Sequence, residues 1–277
     1  MGKRRSTADY EQKIEQGRCQ GRGDDYVPYY TVQDIPSKGR VMRKNGIRVN
    51  RLHTTLSDKE SICSMIFELS DKVIGDPLEQ FVLPLDETLV IAEELGIKHP
   101  IHPTTKKYEP LVPDFYFQIK GTDDLPIDVI REFKMKDDLV NKRVLEKFEI
   151  ERVWCERNGY DWGIITEEEL DPIVCKNIGI IYDYYFIERI GLPDWTEDQT
   201  KQLVAEFIKR IVDTSESMRN VCNGLDQDAG LEPYTCLNLF KYLIAHNIIK
   251  VDLRKTIDVS QVIQVTLNRD KYEKEYS

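Results

Sequence analysis

The stretch from Leu111 to Thr166 constrains the fold more than any other part of the chain. "LVPDFYFQI" (111–119) alternates and is rich in aromatics, which marks a β-strand. "KGTDD" is a turn, and "LPIDVIREFK" (125–134) returns as a second strand. The pair reads as an antiparallel hairpin with a loop of about six residues. A helix follows from about Asp137 to Asn158, with acids at its start and Val140, Val144, Leu145, Phe148 and Trp154 along one face. Asn158-Gly159 is its stop signal. "DWGIIT" (161–166) then reads as a buried strand. Hairpin, helix and strand in that order imply an α/β core around a mixed sheet.

The flanking segments extend this core. Residues 1–30 look irregular, with a helix over Thr7–Gln16. Ser57 followed by Glu60 is a capping box, and Ile62, Met65, Ile66, Leu69 and Val73 continue at helical spacing. Glu60 points away from that stripe, toward water or a cleft. "EQFVLPL" (79–85) reads as a short strand and "ETLVIAEELGI" as a helix ending near Gly96. After Thr166 the pattern changes. "EEELDP" is a linker, which divides the chain into domains 1–168 and 169–277. Beyond it lie mostly helical segments, ending in two strands, "IIKVDL" and "QVIQVTL". Three helices before a two-stranded hairpin is the winged-helix order, so the second domain is expected to be mainly α. Its third helix (about Pro233–His246) presents only Lys241 outward. A base-reading helix needs several Arg, Lys, Asn or Gln, so the domain reads as a protein-docking module.

Composition excludes several classes. With 277 residues, 40% apolar and 32% charged, the chain can build one large or two ordinary cores. No apolar run reaches the ~18 residues needed to span a bilayer. The basic start "MGKRR" has no apolar segment behind it, so it is not a secretory signal, and a lone Gly2 does not establish acylation. Six cysteines without a C-x-x-C pair fit idle thiols in a reducing, cytoplasmic compartment. His99 and His102 form a tight pair but lack a third ligand nearby. A net charge of −10 argues against unaided coating of nucleic acid. The exception is the run from Lys38 to Arg51, which carries Lys38, Arg40, Arg43, Lys44, Arg48 and Arg51 and no acid. A run of this kind is either a solvated face or an arm for phosphate contact.

The chemistry gathers on the hairpin. If Ile119 lies opposite Ile127, Asp114 lies opposite Glu132, and opposite residues of an antiparallel pair share a face. Glu132 and Lys134 also share a face, with Phe133 on the other. Two facing carboxylates repel unless a proton or cation lies between them. Oxygen ligands without Cys or His suggest Mg²⁺ or Mn²⁺, which would acidify a water beside a phosphate, with Lys134 orienting it or neutralising charge. Each residue also has a plainer reading: a turn aspartate, a surface ion pair, a cap. Glu146, Glu149 and Glu151 read as partners of Lys142, Lys147 and Arg152 along the helix.

The order strand, hairpin, strand, helix, strand resembles the core of restriction-endonuclease-like nucleases. "RVNRLHTTLSDKES", "EELGIKHP", "PDFYFQIK" and "KRVLEKFEIERVWCERNGYDWGIITEEE" together resemble the TnsA endonuclease family, a subunit of heteromeric cut-and-paste transposases. The resemblance implies a catalytic domain in which Glu60, Asp114, Glu132 and the Phe133 carbonyl hold Mg²⁺ and Lys134 assists. Glu149 or Glu151 would act from farther out. It also implies cleavage of the non-transferred 5′ strands at transposon ends. A DDE-type transposase cuts the 3′ strands and an ATP-dependent regulator contacts both. Delivery by a partner would account for the acidic charge. Two rivals stand beside this reading: a stand-alone restriction or repair nuclease, and a non-catalytic adaptor bridging transposase and regulator.

Overall fold

In the computed structural model, residues 10–31, 34, 42–192 and 195–276 are described. The first helix runs as α1 (Tyr10–Glu15). β1 (Met42–Asn45) and β2 (Leu52–Thr55) form a separate antiparallel pair. Ser57 caps α2 (Asp58–Leu69), its hydroxyl accepting the Glu60 N–H. The helix stops at Leu69, short of the expected Val73, because Val73 opens β3 (Val73–Glu79). Its buried residues are Ser61, Cys63, Ser64, Met65 and Glu68, while the expected Ile62, Ile66 and Leu69 are half-buried. The expected strand over 79–85 therefore lies earlier in the chain, and Pro84 leads straight into α3 (Leu85–Glu94).

β4 (Phe115–Lys120) and β5 (Pro126–Phe133) pair with Ile119 opposite Ile127, the register the loop length allows. The expected single helix from Asp137 is two elements. A 3₁₀ turn (Lys136–Val140) comes first, and Asn141, accepting the Arg143 N–H, then caps α4 (Lys142–Asn158). Gly159, at φ +76°, ends α4 in the left-handed region where a side chain would be strained. β6 (Asp161–Ile165) pairs parallel with β5 and closes the mixed sheet β3-β4-β5-β6. As an edge strand, with no neighbour on its outer side among the described residues, it is half-buried, not buried as expected.

Strand alternation sorts the two faces. Tyr116 and Ile130 sit in one cluster with Leu78, Leu83 and Leu111, Ile91 of α3, and Ile150 and Trp154 of α4. Phe115 and Phe117 point the other way, onto Phe67 of α2, at ring separations of 5.2 and 4.4 Å. The buried face of α4 is Phe148, Ile150, Glu151, Trp154 and Cys155. Val140, 85% exposed, and Leu145 are not part of it. Val140 precedes the helix, and only the C-terminal half of α4 covers the apolar part of the sheet.

The chain divides into compact units at Leu170/Asp171. The second unit holds α5 (Pro172–Tyr182), α6 (Glu197–Ile211), α7 (Met218–Asp228), α8 (Thr235–Ala245), β7 (Ile249–Lys250), β8 (Thr266–Leu267) and α9 (Arg269–Tyr276). Val204, Phe207, Leu239, Phe240 and Leu243 are fully buried within it. The two expected strands shrink to two paired residues each. The carbonyls of Val259 and Gln261 accept instead from Arg219 and Met218 at the start of α7, which draws that segment out of the ladder. Sequence periodicity missed α9. Lys241 of α8 lies over the Tyr184 ring at 4.1 Å. No helix among the described residues is long and apolar enough to cross a membrane.

Candidate active site

The register brings Asp114 and Glu132 to the end of the hairpin away from its turn, on the face that buries Tyr116 and Ile130. Asp114 stands just before β4, and its Oδ2 accepts the Phe133 N–H at 2.8 Å. Its own carbonyl accepts the Gln80 N–H at 3.0 Å, so backbone on both sides fixes it. Glu132 is 7% exposed. Where α4 crosses this face, Ile150 and Trp154 cover Ile130, and Glu151, only 2% exposed, comes up beside Glu132. Glu132 interacts electrostatically with both Glu151 and Asp114. Glu60, on the first turn of α2, completes the group. Glu60, Asp114, Glu132, Lys134, Lys147 and Glu151 line one cavity of about 270 Å³, with Phe133 at its edge. Lys134 is partly exposed, its Nζ 3.9 Å from Asp138 Oδ2.

Four acids in one poorly solvated cavity shift each other's titration. Burial, then the Asp114 charge, pushes Glu60 up to about 7, against hydrogen bonds from the Leu56 N–H and the Ser57 hydroxyl. Burial lifts Asp114 to about 6, opposed by the Phe133 N–H. Glu151 rises to about 7 by burial, opposed in part by Glu132 and Lys147. Glu132 lies well above the ordinary carboxyl range, through burial and then Glu151 and Asp114. Glu151 Oε2 is buried without a hydrogen-bond partner. These are acids short of a positive charge.

The donor chemistry fits a hard divalent cation, since it is all oxygen and contains an orphaned carboxylate oxygen. Among the described residues, no three His, Cys, Asp or Glu side chains close around a single point as tightly as a metal's ligands. A pair of carboxylates, the Phe133 carbonyl and water is the sparser set that Mg²⁺ accepts, because it keeps several waters.

The other expected site residues are placed differently. Lys38 and Arg40 lie outside the described residues. Arg43 is exposed. Lys44 Nζ lies 2.7 Å from Met65 Sδ. Arg48 donates to the carbonyls of Glu68 and Ser70, closing the C-terminus of α2. Arg51 is buried in an ion pair with Glu79 at 2.7 Å and faces Asp76 at 3.5 Å. Arg48 and Arg51 are thus both engaged inside the first unit. They pin the β1–β2 hairpin to the first unit. His53, 3% exposed, joins them between Glu68 and Glu79, and those hydrogen bonds outweigh burial and raise it to about 9. His99 bonds to Thr88 and His102 braces its own loop, so the two do not act as a pair. Glu146 and Glu149 form the expected helix-surface pairs with Lys142 and Arg152, but Glu151 does not. Its signal was the spacing Phe148, Glu151, Trp154/Cys155, which places an acid inside an apolar stripe.

A mixed sheet that presents facing acids and a lysine at one strand end, with helices on both faces, fits an endonuclease-like domain followed by a helical one. Residues 71–167 match the family described as TnsA-like endonuclease N terminal, and residues 169–253 match TnsA endonuclease C terminal. The chain is 30% identical over 269 residues to the transposon Tn7 transposition protein TnsA of Escherichia coli, covering 95% of this chain and 93% of that protein. The chain belongs to the TnsA endonuclease family.

Proposed function

We propose that this chain is the metal-dependent DNA endonuclease subunit of a heteromeric transposase, and that it hydrolyses the 5′ (non-transferred) strands at transposon ends. The observation that carries this reading is the convergence of Glu60, Asp114, Glu132 and Glu151 with Lys134 in one cavity. Asp114, Glu132 and the Phe133 carbonyl, with Glu60, would hold Mg²⁺ or Mn²⁺. Bound there, the ion supplies charge neutralisation at the phosphate and a more acidic water. The Phe133 N–H fixes the Asp114 carboxylate in place. Lys134, at the open side of the cavity, orients the attacking water or meets the charge that develops on the phosphoryl oxygens. The chain's partners in this reading are a DDE-type transposase that cuts the 3′ strands and an ATP-dependent regulator; likeness to a Tn7 transposition protein supports the first. The 171–277 unit reads as a winged-helix domain that docks proteins, since the outward cation of α8 is stacked on Tyr184.

The test is a reconstituted reaction on end-labelled transposon-end duplex, with and without the partner transposase, scored strand by strand. The expected result is 5′-strand cleavage that needs Mg²⁺ or Mn²⁺ and the partner. Efficient cutting by the chain alone would establish a stand-alone nuclease. No cutting with every partner supplied would establish an adaptor.

A further inference from the structure

The basic run at 38–51 was the one sequence feature suited to holding a DNA backbone, and Arg48 and Arg51 are committed elsewhere. The cavity itself supplies a replacement. α4 turns Val144, Lys147, Phe148 and Glu151 toward it, at the i, i+3, i+4, i+7 spacing of one helical face. Lys147 is therefore a second lysine in the cavity wall beside Lys134. Among the described residues it forms no ion pair, whereas its neighbours Lys142 and Arg143 are both tied to Glu146.

A second element rises from the same wall. Pro100 and Glu109, the two feet of a loop bridged by Ile101 and Tyr108, line the cavity. The loop is built to hold its shape. The His102 N–H donates to the Lys107 carbonyl at 2.8 Å, the Lys106 N–H to the His102 carbonyl at 3.0 Å, and the N–H groups of Thr104 and Thr105 to His102 Nδ1. Its tip, Thr104-Thr105-Lys106-Lys107, is exposed. Lys107 is paired with Glu11, but Lys106 has no acid partner among the described residues and takes a left-handed backbone, φ +61°. Arg143 and Lys147 both act electrostatically on His99 at the foot of this loop, so this stretch of α4 lies near the loop's base. In a chain of net charge −10, unpaired lysines gathered around an acidic cavity suit a polyanion whose reacting group enters that cavity.

We propose that Lys147 of α4 and Lys106 of the His102-braced loop hold the DNA phosphates flanking the bond to be cut, so that the substrate lies across this wall of the cavity and not along the 38–51 run. This rests on the nuclease reading above for the identity of the ligand. Lys147, one turn from Glu151, takes a phosphate next to the reacting one. Lys106, at the tip, takes one farther along the backbone.

The test measures binding without cleavage. The full-length chain is titrated into a fluorescein-labelled transposon-end duplex at low salt in Ca²⁺, then over a series of salt concentrations. Lys147→Ala and Lys106→Ala should each weaken binding by about 3- to 10-fold and lower the salt slope by about one counterion. Lys147→Arg should retain affinity, Arg43→Ala should match wild type, and all melting temperatures should be unchanged. Wild-type affinity and slope in both alanine variants would overturn the proposal, as would a loss confined to Arg43→Ala or no binding by wild type even at low salt. Cleavage assays on the same proteins separate the two readings. If the chain never cuts yet the lysine variants lose DNA, the nuclease reading fails and the binding wall stands. If the chain cuts and both variants bind and cut normally, only the wall fails.

Discussion

The first unit buries two groups of acids, and they are held in opposite ways. Around β2 and β3, Glu79 is 2% exposed yet falls to about 2 in pKa, because His53 and Arg51 outweigh the cost of its burial. Around the hairpin end, Glu132 and Glu151 are buried as deeply and Asp114 is half-buried, and all three rise instead, because no cation close by offsets the cost of their burial. Burying a charge costs several kcal/mol unless a partner offsets it. The first group carries its own cations and acts as a clamp. The second keeps an unmet demand for positive charge, which a divalent ion would satisfy. The difference separates structure from chemistry more clearly than burial or charge count does.

The largest effects should come from breaking each group at its centre. Asp114→Ala or Lys134→Ala should reduce strand cleavage by at least ~10²-fold while leaving the fold and partner binding intact, measured on end-labelled duplex. Full cutting by either variant would remove that residue from the mechanism. Arg51→Met should cost about 3–5 kcal/mol in urea unfolding, because it strands Glu79 without its partner. Glu132→Gln should shift stability the other way. Without divalent ions at pH 8 it should gain about 1 kcal/mol or more, since it removes an acid that resists ionisation. Destabilisation by Glu132→Gln would mean the cluster is already compensated.

Titration sharpens the contrast. Glu60 and Glu151 rise from 4.5 to about 7, so between those values the folded chain keeps protons that the unfolded chain has released. Their contribution is complete below about pH 4.5 and is lost as pH rises through 7. The clamp is silent over most of this window. Glu79 loses its contribution as pH falls from 4.5 toward 2, and His53 adds to the fall only above 6.5, as pH rises toward 9. The melting temperature should therefore fall from pH 5 to pH 8 in metal-free buffer, and Mg²⁺ should flatten the fall. A flat metal-free profile would contradict the assignment. The smallest effect serves as a control: Gly159→Ala, at φ +76°, should cost about 1 kcal/mol regardless of metal.

Much of the site was legible in the sequence because it rests on local rules. Alternation and loop length set the β4–β5 register, and that register alone places Asp114 opposite Glu132. The Ser57 cap was readable for the same reason. What stayed hidden depends on tertiary contact. Glu151 sits in a charged helix where any acid has a lysine or arginine three or four residues away, and only the packing of α4 shows which one faces inward. Arg48 and Arg51 look like the rest of their run until the acids of α2 and β3 are brought against them. The short β7–β8 ladder escaped because its strand-like residues spend their carbonyls on α7.

The central claim is that the acids around Asp114 wait for a divalent cation. Calorimetric titration of Mn²⁺ into the metal-free chain at pH 7, repeated in buffers of different ionisation enthalpy, tests it most directly. The account predicts saturable binding with proton release, because Glu132 and Glu60, which hold protons at pH 7, must give them up to bind an ion, and loss of that binding in Asp114→Ala. No saturable heat, or binding that survives Asp114→Ala without proton release, would contradict it.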